Sequence, residues 1–205
     1  MKTGGGQSKV SMHRKINNIL TVIVIGLGSY LLFAPFMPSI DFWVKKRGGF
    51  DAPSYAIKTE DKKAVVDIPS DNRLAIPSIG LDENVFESTA PNGINKGVYQ
   101  RPKTSDPSLG GNTVFVGHRF SYFPNIPAPF YNLDKVKVDD EIVVVWKGVI
   151  YRYKVKEIKV VEPTDITVEA PSKDSKLTIY TCTPLWSASQ RLVIVSEQIT
   201  EREAQ

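Results

Sequence analysis

The sequence predicts an all-β chain: a closed or nearly closed β-barrel of seven or eight short strands, with short helices and turns, preceded by one transmembrane helix. Three observations carry this expectation. From Arg73 onward, β-branched and aromatic runs alternate with turn residues and show almost no helical period. An uncharged stretch, Ile16 to Ile40, lies ahead of them. Between the two, the chain lacks periodic apolar residues and carries Gly48-Gly49, Pro53 and the cluster Glu60-Asp61-Lys62-Lys63. The expected organisation is a cytoplasmic N-terminus at 1–15, a membrane anchor at 16–40, an extracellular spacer at 41–72, the barrel at 73–199 and a tail at 200–205.

The anchor follows from length. As a helix, Ile16 to Ile40 reaches about 38 Å, enough for a hydrocarbon core of about 30 Å. A cleaved signal peptide has a shorter apolar region and a small-x-small site after it, which this stretch lacks. Pro35 and Pro38 predict fraying at its outer end. Lys2, Lys9, Arg14 and Lys15 precede the span with no acid among them, whereas Asp41 and Asp51 flank Lys45, Lys46 and Arg47 beyond it. The positive-inside rule therefore favours a cytoplasmic N-terminus and an external C-terminal domain. Tyr30, Phe33, Phe36, Phe42 and Trp43 are candidates for an interfacial aromatic belt.

Within the barrel, Leu74-Ala75-Ile76-Pro77 and Glu83 to Glu87 flank a turn at Ser78-Ile79-Gly80, and Pro91-Asn92-Gly93 reads as a turn or helix start. Asn112 to Val116, preceded by Gly110-Gly111, suits a strand buried on both faces. Glu141 to Trp146 and Val149 to Val161 flank a hairpin turn at Lys147-Gly148. Lys176 to Thr181 and Arg191 to Gln198 complete the set.

Composition narrows the function. The chain has 205 residues, 41% hydrophobic, with a formal net charge of +4, and its basic residues are dispersed among acids. Without a basic stripe or an aromatic platform, nucleic-acid binding is not expected. One cysteine in an external domain makes no internal disulfide, so it is an intermolecular link, a reactive group or a buried inert thiol.

Alternation sharpens the choice. Val114, Val116 and His118 share one strand face, with His118 at its end; Thr178, Tyr180 and Cys182 share another, with the cysteine last. Arg191 opens the next strand. If that strand runs antiparallel to the one ending in Cys182, all three groups meet at one rim. A thiol attacks as thiolate, an imidazole protonates the leaving amine, and a guanidinium supports the oxyanion. Ordinary pKa values leave only about 1% of molecules with both thiolate and imidazolium at about pH 7.5, which fits a slow processing enzyme. No third residue that would orient His118 is visible in the pattern. Taken singly, His118 also reads as a core histidine, Cys182 as an inert thiol and Arg191 as a snorkelling edge residue. A zinc site lacks ligand spacing, and Glu162, Asp165, Glu169 and Asp174 read as a solvated loop rather than a calcium site, so no metal or other cofactor is expected.

The motifs resemble those of a known family. Leu177-Thr178-Ile179-Tyr180-Thr181-Cys182, followed by Arg191, resembles the Thr-Leu-x-Thr-Cys…Arg signature of sortases, with Ile179 at the leucine position. Gly117-His118-Arg119 resembles their histidine motif, and Arg73 to Leu81 resembles their opening strand. The resemblance covers roughly Arg73 to Gln198. It implies an eight-stranded barrel and a membrane-anchored cysteine transpeptidase of a Gram-positive-type surface, which cleaves a C-terminal sorting signal such as Leu-Pro-x-Thr-Gly between Thr and Gly. By the same resemblance Cys182 is the nucleophile, His118 the general acid/base and Arg191 the stabiliser of substrate and oxyanion. Thr181, Tyr180 and Val116 would line the substrate groove. The implied partners are secreted proteins bearing the signal and an amine from a cell-wall precursor or a pilin lysine. The short Cys182-Thr183-Pro184-Leu185-Trp186-Ser187 connection looks most like class E, with class D next, and class E members often take Leu-Ala-x-Thr-Gly. No Asp-Pro-aromatic lid marks a class C polymerase, and no class A calcium pattern is present.

Two other functions fit the same residues: a non-enzymatic anchored β-domain, adhesin or degenerate barrel with a buried thiol, and a cysteine hydrolase that releases its acyl group to water.

Overall fold

The structure is a computed structural model that describes residues 6–33, 37–57, 67–90, 92–121 and 123–199. The chain divides into two compact units, Met1–Val44 and Lys45–Gln205. In the first, helix α1 (Gly6–Phe33) contains the apolar span Met12–Phe33, with a mean hydropathy of 1.9 and no residue buried in protein. By length and composition this helix can cross a membrane. It starts earlier than the uncharged stretch and ends at Phe33. Ser39 and Ile40, expected within the anchor, instead belong to helix α2 (Met37–Gly48), which has Pro38 in its first turn and Lys45, Lys46 and Arg47 in its last. Proline there lacks only a donor that would be unpaired anyway, and the basic residues oppose the helix dipole. Phe36, the charge cluster at 60–63, Pro91 and the tail at 200–205 lie outside the described residues.

Eight strands make a closed barrel: β1 (Arg73–Ile76), β2 (Leu81–Phe86), β3 (Val98–Gln100), β4 (Asn112–Val116), β5 (Glu141–Trp146), β6 (Val149–Val161), β7 (Lys176–Thr183) and β8 (Gln190–Gln198). Their order around the barrel is β1-β2-β3-β4-β7-β8-β6-β5. The β2–β3 and β4–β7 pairs are parallel and the rest antiparallel. The expected barrel is therefore observed, and β4, β5 and β6 have the expected bounds. Lys147 and Gly148 take positive φ values of 51° and 76°, the turn that matches the right-handed twist of a two-residue hairpin. β3 is the strand missing from the sequence reading. It has three residues and no alternation long enough to register.

β5 buries both of its faces, for a traceable reason. On β5, the residues level with Leu74 face inward. Trp146 also points into the barrel, where it stacks on Phe115 with ring centroids 6.1 Å apart. Val143 and Val145 face outward, yet both are fully buried, because Tyr55 and Ala56 cover them together with Ala75. Residues 50–57, expected as spacer, thus form a strap across the outside of β1 and β5. Arg152 fastens it, donating to the carbonyls of Tyr55 and Ala56 at 3.1 Å each and pairing with Glu141 at 2.7 Å. The Tyr55 hydroxyl donates to Asp82, which also accepts from Arg73 Nε at 2.8 Å. Burial, with the Asp82 contact, pushes the Tyr55 phenol up to about 12. Gly80 (φ 63°) completes the seat, since a Cβ there would lie 2.3 Å from the Phe50 ring.

Candidate active site

The parallel β4–β7 pair sets the geometry. Its register aligns Val114 with Thr178 and Val116 with Tyr180. β4 ends at Val116 opposite Tyr180, with His118 two residues beyond that end and Cys182 two residues further along β7. Thr181 keeps the strand ends together by donating to the Gly117 carbonyl at 2.8 Å. On the other side of β7, Cys182 is the direct antiparallel partner of Arg191. Strand pairing thus sets Cys182 beside Arg191, and the Thr181–Gly117 bond ties the residue before His118 to β7. Gly117 precedes the histidine because the β4–β5 connection crosses there: a Cβ would lie 2.9 Å from Phe130. The Phe130 N–H closes this crossing on the His118 carbonyl at 3.1 Å.

Cys182 is partly exposed and free, so it is not an inert core thiol. His118 is half-buried, and burial lowers its pKa below the ordinary 6.5, which favours the neutral imidazole. Its Nε2 lies 3.0 Å from Asn95 Oδ1 in the short 3-10 turn Gly93–Asn95. An amide oxygen only accepts, so this contact places the proton on Nε2 and leaves Nδ1 as the basic nitrogen. Arg191 Nη1 donates to the carbonyls of Ala188 and Gln190 at 3.1 and 2.9 Å. Its Nε and Nη2 have no partner among the described residues.

Two participants carried no visible signal in the sequence. Asn95 lies on a separate turn and meets His118 only through the fold. Arg119 stood inside the histidine motif without a role. Its side chain is only 11% exposed, donating to Thr183 Oγ1 at 2.7 Å and pairing with Asp134 at 3.2 Å. It therefore joins the residue after His118 to the residue after Cys182. Beyond it, Phe120 meets Trp186 edge to face with centroids 5.1 Å apart, and Trp186 is half exposed.

Of the three expected groove residues, Thr181 and Val116 are 2% and 4% exposed, and only Tyr180 offers surface. Val114 is buried like Val116, and the 3-10 turn Ile166–Glu169 of the β6–β7 connection is held to these strands through Asn112 and Tyr180. The acids of that connection are used separately. Asp165 accepts from the Thr167 N–H at 3.0 Å, Glu162 from Gln190 at 3.1 Å, and Glu169 from Arg101 at 2.9 Å. Among the described residues no three acids, histidines or cysteines converge as a metal site.

The barrel carries a free thiol paired with a guanidinium across β7–β8 and an imidazole just past the end of β4, groups with which thiol acyl transfer is chemically feasible. Comparison with known proteins narrows it. The sortase domain profile matches residues 74–199. Sortase A of Listeria monocytogenes is 30% identical over 138 residues, which make up 67% of this chain and 58% of that protein. Among solved structures, the lid mutant of sortase A from Corynebacterium diphtheriae aligns with a TM-score of 0.58 at 26% identity, covering 71% of this chain and 77% of the other. Sortase C-1 from Actinomyces oris gives 0.57 at 29% identity, covering 65% and 76%. The chain belongs to the sortase family, whose members are cysteine transpeptidases.

Proposed function

We propose that this protein is a membrane-anchored transpeptidase that cleaves a C-terminal sorting signal of the Leu-Pro-x-Thr-Gly or Leu-Ala-x-Thr-Gly kind and joins the product to an amine. What supports this reading is the pairing of Cys182 with Arg191 across β7–β8, with His118 two residues beyond the β4 end of the parallel β4–β7 pair. In this reading the Cys182 thiolate attacks the Thr carbonyl carbon. The oxyanion that forms is met by Arg191, whose Nε and Nη2 are the nitrogens left for it. As the C–N bond breaks, His118 gives its proton to the leaving glycine amine, leaving a thioester on Cys182. An incoming amine then attacks the thioester, His118 takes its proton, and the thiolate departs.

The burial of His118 disfavours imidazolium. Slow, single-use processing of a tethered substrate suits such an enzyme. Helix α1 would be the anchor, with the N-terminus inside and the barrel outside. The amine would come from a cell-wall precursor, with a pilin lysine as the alternative. The short β7–β8 connection favours class E over class D.

A peptide panel that varies the second signal residue, with mass-spectrometric capture of the thioester, tests the proposal. Cys182→Ala should abolish the adduct and all cleavage while the barrel stays folded. Arg191→Lys should restore little of the activity lost in Arg191→Ala, because a point charge does not reproduce the guanidinium fork. Wild-type cleavage by Cys182→Ala would refute the mechanism.

A further inference from the structure

The outer face of β4–β7 carries a polar construction that the chemistry above does not use. Glu169 closes the 3-10 turn Ile166–Glu169. Its carboxylate accepts from Arg101 Nε at 2.9 Å and Nη2 at 3.3 Å, a two-pronged contact, and from the Tyr180 hydroxyl at 2.5 Å. Tyr180 stands two residues before Cys182 on the same face. Burial, together with this hydrogen bond, raises its pKa, so the phenol stays a donor. The same turn is held from β4 by Asn112. Its Nδ2 donates to the carbonyls of Val168 and Ala170 at 3.1 and 2.9 Å, while its Oδ1 accepts from Thr178 Oγ1 at 2.8 Å.

Residues that keep β4 and β7 in register therefore also fasten the wall above them. Asn112 and Thr178 are 7% and 2% exposed, so their half of the fastening is interior. The Glu169 half is reachable: the Arg101 and Glu169 side chains are 40% and 20% exposed. The cleft lined by Arg101, Lys103, Thr104, Ile166 and Glu169 opens beside it, with a volume of about 610 Å³.

We propose that the Arg101–Glu169–Tyr180 clamp is a positioning device that keeps the turn at 166–170 as a preformed wall beside the face of β7 that carries Tyr180 and Cys182. A peptide then binds without first ordering that loop, and loop ordering is a cost that otherwise subtracts from affinity. Tyr180 contributes its ring to that face of β7, since its hydroxyl is engaged by Glu169. This takes the transpeptidase function as given and adds to it the element that sets peptide affinity.

The test uses the full chain. Glu169→Ala should raise KM for a sorting peptide about tenfold with kcat within about twofold, the pattern of lost uniform binding. It should speed amide hydrogen exchange at residues 166–170 and leave the alkylation rate of Cys182 by a small neutral reagent unchanged. Glu169→Gln, whose carbonyl still accepts from Tyr180, should recover most of the KM. Tyr180→Phe keeps the ring and the fold, and should shift KM in the same direction as Glu169→Ala. A fall in kcat at constant KM, or unchanged exchange and KM, would overturn the inference. Should the wild type form no thioester with any peptide, the transpeptidase assignment falls. Even then, exchange at 166–170 still decides the clamp: faster in Glu169→Ala supports it, unchanged overturns it.

Discussion

The connection before β7 and the connection after it flank the strand that carries Cys182 but are held by different forces. The first, with its turn at 166–169, is fastened by a carboxylate clamp and a buried carboxamide, all bound to strand residues. The second, Pro184 to Ser189, closes on itself through the Ala188 N–H to the Pro184 carbonyl at 2.9 Å. It is steadied from outside by the Arg119 tether at Thr183 and the Phe120–Trp186 ring contact. The side approached along β4 and β7 is therefore rigid and polar. The far side is aromatic, half exposed and linked to Arg191, whose Nη1 donates to the Ala188 carbonyl.

Breaking the far side at its base should have the largest effect. Arg119→Ala removes a mostly buried charge that spans the residues after His118 and Cys182. It should lower kcat by about 10- to 100-fold with little change in peptide KM, and destabilise the fold by about 2 kcal/mol. A kcat–KM split measured beside a thermal melt checks both. Equal loss in KM would mean that the two sides are not separate.

The next effect is smaller and concerns pH. Because burial lowers the His118 pKa, the acid limb of kcat/KM should inflect below 6.5. The linkage sign agrees: the neutral imidazole's contribution to stability is complete above 6.5 and is lost as pH falls through the lowered folded value. Asn95→Ala frees Nε2 and should cost a few-fold in kcat by releasing the ring orientation. An NMR titration of the His118 ring alongside the rate profile reads both, and an inflection above 6.5 would contradict the burial account.

The smallest effect is expected at the exposed ring. Trp186→Ala should leave thioester formation within about twofold yet alter the split between amine transfer and hydrolysis. Burst amplitude compared with product ratio separates the two steps. A changed peptide KM would assign the ring to the other side.

How much of this was legible depends on whether the signal was local. β4, β5 and the β5–β6 hairpin could be read because Asn112–Val116 and Glu141–Trp146 are unbroken apolar runs and Lys147-Gly148 punctuates two of them. The alternation that put His118 and Cys182 at strand ends was also local, and the parallel register turned it into a site. β3 escaped because three residues carry no period. Asn95, Arg119 and Glu169 escaped because each acts through a partner on a distant segment. The strap escaped for a related reason: Tyr55 and Ala56 sit in a stretch with no repeat, and only the apolar outer face of β5 calls for them.

That strap separates the unit of homology from the unit of folding. The family match opens at residue 74, but a shortened chain starting at Arg73 would uncover Ala75, Val143 and Val145 as a bare apolar strip beside the Arg152–Glu141 pair. Such a strip invites self-association in solution. A recombinant fragment meant to stay monomeric should therefore begin before Phe50, upstream of residue 74 where the family match opens.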